Sequence, residues 1–278
     1  MSESSSACPA RAWERRPGCG RPSVQRRRLG ELEVSVLGLG TVKFGRNTAV
    51  KYPEPFAIPD DGQVRRLLHL ALDLGINLID TAPAYGASEQ RLGELLRGGR
   101  KDWVICTKAG ETFDAGGDRS SFDFSPEAVR ASVERSLRRL QTDYLDIVLL
   151  HSDGSDLEIL DGGALDTLND LKRAGWVRSV GVSSKTPEGA LASVEQADTA
   201  MLALTPEYRE DEPAILRAAE LGKAVLLKKL IDSGHRPEQM GEAMQLAFAH
   251  AGVASAVIGT INPEHLRGNA ALAEAVCG

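Results

Sequence analysis

Four side chains carry most of the chemistry in this sequence: Asp80, Tyr85, Lys108 and His151. Three of them end short apolar runs, Asn77-Leu78-Ile79-Asp80, Cys106-Thr107-Lys108 and Leu149-Leu150-His151. Tyr85 lies five residues past Asp80, across Pro83 and just before Gly86. An unperturbed tyrosine has a pKa of about 10, too high for easy proton exchange near neutrality. A nearby ammonium lowers that value, and a carboxylate keeps the ammonium charged and oriented. An imidazole can hydrogen-bond the oxygen that the phenol protonates. The set therefore suits a carbonyl polarised for hydride reduction beside a proton donor. Two rivals stand beside it. A Schiff-base lysine at Lys108 is one, disfavoured because a salt-bridged lysine is a poor nucleophile. A metal site is the other, disfavoured because Tyr and Lys are poor company for a metal. Taken singly, Asp80 reads as a helix cap and His151 as a structural histidine. Four ionisable groups converging on one place shift the reading to function.

Convergence requires elements that bring the four together. Apolar runs recur as strands over Val36–Gly40, Leu78–Asp80, Trp103–Thr107, Leu145–Leu150, Val177–Val182, Met201–Leu204, Ala224–Leu227 and Ala256–Ile258. Helical spacing follows or separates them over Gln63–Leu74, Glu89–Leu96, Pro126–Leu140, Ala164–Ala174, Pro187–Gln196, Asp211–Leu221, Pro237–His250 and Pro263–Ala275. Strict alternation implies a parallel sheet. Residues 29–278 span about 250 positions, a typical length for one closed (β/α)8 TIM barrel. The open, doubly wound alternative needs a dinucleotide fingerprint. Gly38-Leu39-Gly40 offers only its first half, with Lys43 at the third glycine position and no helix expected after it. Leu29–Leu37 reads as a hairpin closing the bottom of the barrel, and the strands' carboxyl ends as the seat of chemistry. Residues 1–28, rich in Arg, Ser and Pro, read as a disordered tail, and 29–278 as a single domain.

Composition narrows the partners. A net charge of −6 argues against nucleic acid. No apolar run reaches the roughly 20 residues of a membrane span. Cys8, Cys19, Cys106 and Cys277 have neither metal-site nor disulfide-framework spacing, which points to a reducing cytoplasm. Phe44, Phe56, Phe113, Phe122 and Phe124 fall in loops after the first and third strands, where they would wall an apolar substrate pocket. The acidic stretch Asp153, Asp156, Glu158 and Asp161 reads as a solvated face.

The sequence closely resembles the aldo-keto reductase family, in its bacterial-type form with a short C-terminus. The resemblance rests on Gly75-Ile76-Asn77, Asp80-Thr81-Ala82, Tyr85-Gly86, Ser88-Glu89 and Leu92-Gly93, then Thr107-Lys108 and Leu149-Leu150-His151, and covers nearly all of residues 29–275. It implies an NAD(P)H-dependent reductase of aldehydes or ketones. Tyr85 would be the general acid, Lys108 and Asp80 would tune it, and His151 would orient the carbonyl. It also implies cofactor contacts at Gly40, Thr41 and Asp80. Ser183 and Ser184 would hold the nicotinamide amide, with Thr205 and Lys228 near the ring. Gly259, Thr260, Asn262, His265 and Asn269 would meet the adenosine end. Departures from the family's pattern are Ser184 for Asn, Thr205 for Gln, Lys228 near a stacking Tyr, Gly259 for Lys and His265 for Arg. Lost charge at Gly259 leaves Arg267 or Lys228 to read a 2′-phosphate, so NADPH is expected over NADH by a narrow margin. The remaining expectations are a small carbonyl substrate, no metal, and a monomer or weak homo-oligomer. Relatives that bind the cofactor yet serve as channel-associated subunits keep a regulatory module open as the alternative, beside the Schiff-base aldolase.

Overall fold

The computed structural model describes residues 24–278, apart from 115 and 117. It opens with an antiparallel hairpin, β1 (Arg26–Leu29) and β2 (Leu32–Ser35). The chain then runs through β3 (Leu37–Gly40), a short helix α1 (Val42–Gly45), α2 (Asp61–Asp73), β4 (Leu78–Asp80) and α3 (Ser88–Leu95). Next come β5 (Val104–Ala109), a second hairpin of β6 (Glu111–Asp114) and β7 (Arg119–Phe122), α4 (Pro126–Leu140) and β8 (Leu145–His151). After α5 (Asp156–Asp161) and α6 (Ala164–Arg173) follow β9 (Val177–Ser183), α7 (Pro187–Gln196), β10 (Thr199–Ala203) and α8 (Glu212–Glu220). The chain closes with β11 (Val225–Lys228), α9 (Met240–Ala249), β12 (Val253–Ile258) and α10 (Pro263–Cys277).

Eight parallel strands close on themselves in the order β3-β4-β5-β8-β9-β10-β11-β12, with β12 pairing back to β3. This is the expected (β/α)8 barrel. The barrel strands are buried almost throughout, which is why β5 and β8 are mostly apolar rather than alternating apolar with polar. Inside, Leu78, Cys106, Ile147, Leu149, Met201 and Leu226 form one cluster, sealed from below by Leu29 and Val34 of the hairpin. A larger cluster lies between strands and helices. The helices start where side chains satisfy their orphan N–H groups: Asp60 and Gln63 form a capping box on α2, while Ser125 and Thr186 cap α4 and α7 ahead of Pro126 and Pro187.

Several elements differ from expectation. The lower hairpin begins at Arg26, so residues 24–28, assigned above to the tail, belong to the fold; the disorder expected of the tail otherwise concerns residues outside those described. The reason is Arg27, which has more use than its basic neighbours. Its guanidinium donates to the carbonyls of Phe248, His250 and Val253 and stacks on the Phe248 ring. A four-residue helix follows β3 where none was expected, and it buries Phe44 completely. Phe44 is therefore core, not pocket wall. The acidic stretch folds as α5, and Asp156 is buried, accepting hydrogen bonds from the Lys185 and Thr186 amides and the Thr186 hydroxyl. It ties down the loop after β9 instead of facing solvent. β12 starts at Val253, three residues before the expected Ala256, because Ala254 and Ser255 dilute the apolar signal there.

Candidate active site

Tyr85 is positioned by backbone packing. Gly45, at the end of α1, and Gly86, at φ +61°, press together so closely that a Cβ on Gly86 would lie 2.1 Å from the Gly45 carbonyl oxygen. A side chain at either position would push the tyrosine off its place. Beneath this turn, the Ser88 hydroxyl donates to Thr41 Oγ1, and Thr41 donates to the Asp80 carbonyl. The ends of β3, β4 and α3 are thereby locked together.

Lys108 and Asp80 form a buried ion pair, with Nζ 2.5 Å from Oδ1, and Nζ also donates to the Thr81 carbonyl at 2.9 Å. Burial alone would drive the lysine toward neutrality. Asp80 outweighs it, so the ammonium is held more firmly than usual. The same ammonium lies 5.1 Å from the Tyr85 ring centre. Burial pushes the Tyr85 phenol well above its ordinary pKa, and Lys108 pulls in the opposite direction. Without a substrate, Tyr85 is thus a neutral phenol carrying its proton.

His151 stands edge-on to Tyr85, with ring centroids 6.3 Å apart. Its partner is a residue that the sequence reading missed. Glu111 Oε2, on β6, lies 2.6 Å from His151 Nδ1, a close polar contact without the directionality of a full hydrogen bond. Burial by itself would raise Glu111. Contacts from His151, Ser120 and Arg46 reverse this and hold it at about 2. Burial lowers the His151 pKa against the pull of Glu111, so near neutrality the ring is uncharged, facing an ionised carboxylate. A signal for the β6–β7 hairpin was present. Glu111 to Asp114 and Arg119 to Phe122 flank a Gly-containing turn, and Phe113 and Phe122 interrupt otherwise polar residues. The hairpin carries Phe113, on which the Arg46 guanidinium stacks at 3.5 Å, and Phe122, which packs with Phe124.

The expected cofactor residues occupy the carboxyl ends of β3, β9, β10, β11 and β12. Gly40 and Gly259 approach closely, a Cβ on Gly40 falling 3.4 Å from the Gly259 backbone. Ser183 and Ser184 are buried, and Ser184 Oγ has no hydrogen-bond partner among the described residues. The Thr41 hydroxyl points inward, leaving only its backbone for a ligand. Thr205 closes a local turn to the Tyr208 amide. Asn262 caps α10, and Thr260 accepts from the Asn262 amide. His265 is exposed, Asn269 is half-buried, and Arg267 reaches Glu264 at 3.6 Å. A cavity of about 770 Å³ is lined by Lys51, Tyr52, Lys229, Asp232, Ser233, His235 and Arg236, and the Tyr52 hydroxyl leads from it toward Gly259. An orphaned hydroxyl, a glycine-lined approach and a cavity rich in basic side chains suit a dinucleotide with its phosphates. No cluster of His, Cys, Asp or Glu capable of holding a metal occurs among the described residues. None of their helices is long and apolar enough to cross a membrane.

Comparison with known proteins agrees with this geometry. The barrel superposes on a putative aldo-keto reductase from Pseudomonas aeruginosa with a TM-score of 0.84 at 49% identity, covering 93% of this chain and 98% of that one. It matches the holo form of the aldo-keto reductase AKR11C1 from Bacillus halodurans with a TM-score of 0.76 at 27% identity, covering 90% of each chain. In sequence it is 28% identical to the L-galactose dehydrogenase of Arabidopsis thaliana, over 82% of this chain and 75% of the relative. The profile of the Aldo/keto reductase family matches residues 36–211, a stretch that contains Tyr85, Lys108 and His151, and the chain is a member of that family, an oxidoreductase acting on carbonyl and alcohol groups.

Proposed function

We propose that the protein reduces aldehydes or ketones with NADPH, and less efficiently with NADH, using Tyr85 as the proton donor. The observation that carries this reading is the Asp80–Lys108 pair lying beside a phenol that keeps its proton. The nicotinamide supplies the hydride. Tyr85 gives its proton to the carbonyl oxygen as negative charge develops there, and the Lys108 ammonium stabilises the phenolate left behind. Asp80 keeps Lys108 charged through the cycle. Neutral His151, oriented by Glu111, donates a hydrogen bond to the same oxygen. Gly40, Ser183, Ser184, Gly259 and the cavity lined by Lys51, Lys229 and Arg236 would hold the dinucleotide, with His265 and Arg267 on α10 the side chains that would meet a 2′-phosphate.

The test is loss of reduced-nicotinamide absorbance against an aldehyde panel, with NADPH and NADH in parallel, for wild type and Tyr85→Phe. Wild type should turn over, and the variant should lose about 10²–10⁴-fold in kcat while still quenching cofactor fluorescence. Near-normal turnover in Tyr85→Phe would remove the assignment.

A further inference from the structure

Lys228 ends β11 and reaches across the end of β10 to β9. Its Nζ is 2.9 Å from Ser183 Oγ and 2.5 Å from the Ser184 carbonyl oxygen. No carboxylate lies within ion-pair distance of it among the described residues. Two neutral acceptors match the two N–H bonds of an amine. An ammonium would have a third N–H with nothing in the described protein to receive it. With both N–H bonds turned to Ser183 and Ser184, the nitrogen lone pair is directed away from them.

The charged groups around Lys228 keep the nitrogen in that form. Lys229 follows it in the chain, and Lys108 on β5 adds a second positive charge. Asp211, at the start of α8, and Asp156, on α5, pull the other way, but neither is within ion-pair distance. Asp211 serves the Ala203 amide and the Tyr208 hydroxyl, and Asp156 serves the loop after β9. His151 also senses Lys228, as a charge that would lower its own pKa. Desolvation leads these effects, and together they push Lys228 down to about 7. A desolvated lysine beside other cations is the environment of amine nucleophiles. The amine chemistry forbidden to Lys108 by its salt bridge is available on the far side of the same barrel end.

We propose that Lys228 is a carbonyl-reactive amine, a site distinct from the Tyr85–Lys108 pair, at which a small aldehyde is captured reversibly as an imine. The nitrogen lone pair adds to the carbonyl carbon, and the carbonyl oxygen takes up a proton to give a carbinolamine. Loss of water then forms the C=N bond. The nitrogen gives up both of its hydrogens overall, no electrons are exchanged, and water reverses the sequence. Neither nicotinamide nor Tyr85 takes part, so the capture stands or falls independently of carbonyl reduction.

The experiment uses the full chain without nicotinamide, incubated with propanal and cyanoborohydride, which reduces the imine to a stable propylamine. Site occupancy is read by peptide mass spectrometry over a pH series. Lys228 should be modified at least about tenfold faster than Lys108, Lys51 or Lys185 at pH 7, tenfold being the equivalent of one pK unit. Its rate should level off above about pH 7, while those of surface lysines keep rising. Lys228→Arg, checked for folding by circular dichroism, should lose the fast-labelled peptide and leave the rest of the map unchanged. A Lys228 rate that climbs in parallel with the surface lysines, or an unmodified Lys228 in folded protein, would overturn the proposal. Slow labelling alongside normal NADPH turnover would count against the amine and leave the reductase intact. The converse result would do the reverse.

Discussion

Lys108 and Lys228 are the same residue type in nearly the same kind of place, one near the end of β5 and one at the end of β11. Both are desolvated, and they acquire opposite characters. Lys108 has Asp80 within 2.5 Å, and its charge is locked in. Lys228 has only a hydroxyl and a carbonyl, with further lysines nearby, and its charge is lost as pH rises through about 7. One side of the barrel end is built of paired groups: Asp80 with Lys108, and Glu111 with His151. The other side gathers more basic than acidic side chains, Lys51, Lys229 and Arg236 against Asp232 around one cavity. Burial does not decide a lysine's charge; the partner within hydrogen-bond reach does.

The sharpest way to break this contrast is to remove each lysine. Lys108→Met leaves Asp80 buried and unpaired, and should cost about 3–5 kcal/mol of unfolding free energy. Lys228→Met removes a desolvated amine that has no ion-pair partner, and should be neutral or stabilising. Urea denaturation of both variants tests the pair. Equal losses would show that Lys228 carries a hidden ionic partner.

A smaller effect lies in the pH dependence. Unfolded, Lys228 keeps its proton up to its ordinary 10.5, whereas folded it releases the proton near 7. The unfolded state therefore binds more protons between those values, and unfolding free energy rises with pH across that window. Lys108 has the opposite sign, since its raised pKa gives stability that is full below 10.5 and fades above it. Subtracting the Lys228→Met curve from wild type between pH 7 and 10 should isolate a positive slope. A flat difference would mean that the two lysines titrate alike.

The sequence made the paired side far more legible than the other. Asp80, Tyr85, Lys108 and His151 each follow a recognisable apolar run or turn, so strand-end logic alone collects them. Glu111 escaped because its hairpin is short, half-exposed and polar, and nothing in a one-dimensional pattern says that a carboxylate three residues past Lys108 turns back to His151. The state of Lys228 escaped for a different reason. It depends on oxygens 45 and 44 positions away in sequence. The barrel itself was legible from alternation and length, while β12 and the lower hairpin started earlier than read, where Ala, Ser and Arg hide the apolar signal.

The smallest predicted effect concerns Glu111. Its depressed pKa gives stability that is present above 4.5 and is lost as pH falls toward about 2. Glu111→Gln should remove that acid-side dependence, cost about 1 kcal/mol at neutral pH, and lower the pKa of His151 further. Histidine ring signals followed by NMR through an acid titration would show it. An unchanged His151 midpoint would mean that Glu111 does not govern the imidazole.

Arg27 has a consequence for how the chain is made. Its three carbonyl acceptors lie 221 to 226 positions downstream, and the last barrel strand pairs directly with the first. During synthesis, β3 must therefore wait with an open edge, and the lower hairpin without its anchor, until Val253 and the residues after it have left the ribosome. Barrel closure cannot precede the emergence of β12. A cell that stalls translation short of β12 holds a nearly complete but unclosed sheet, the kind of edge that chaperones exist to cover.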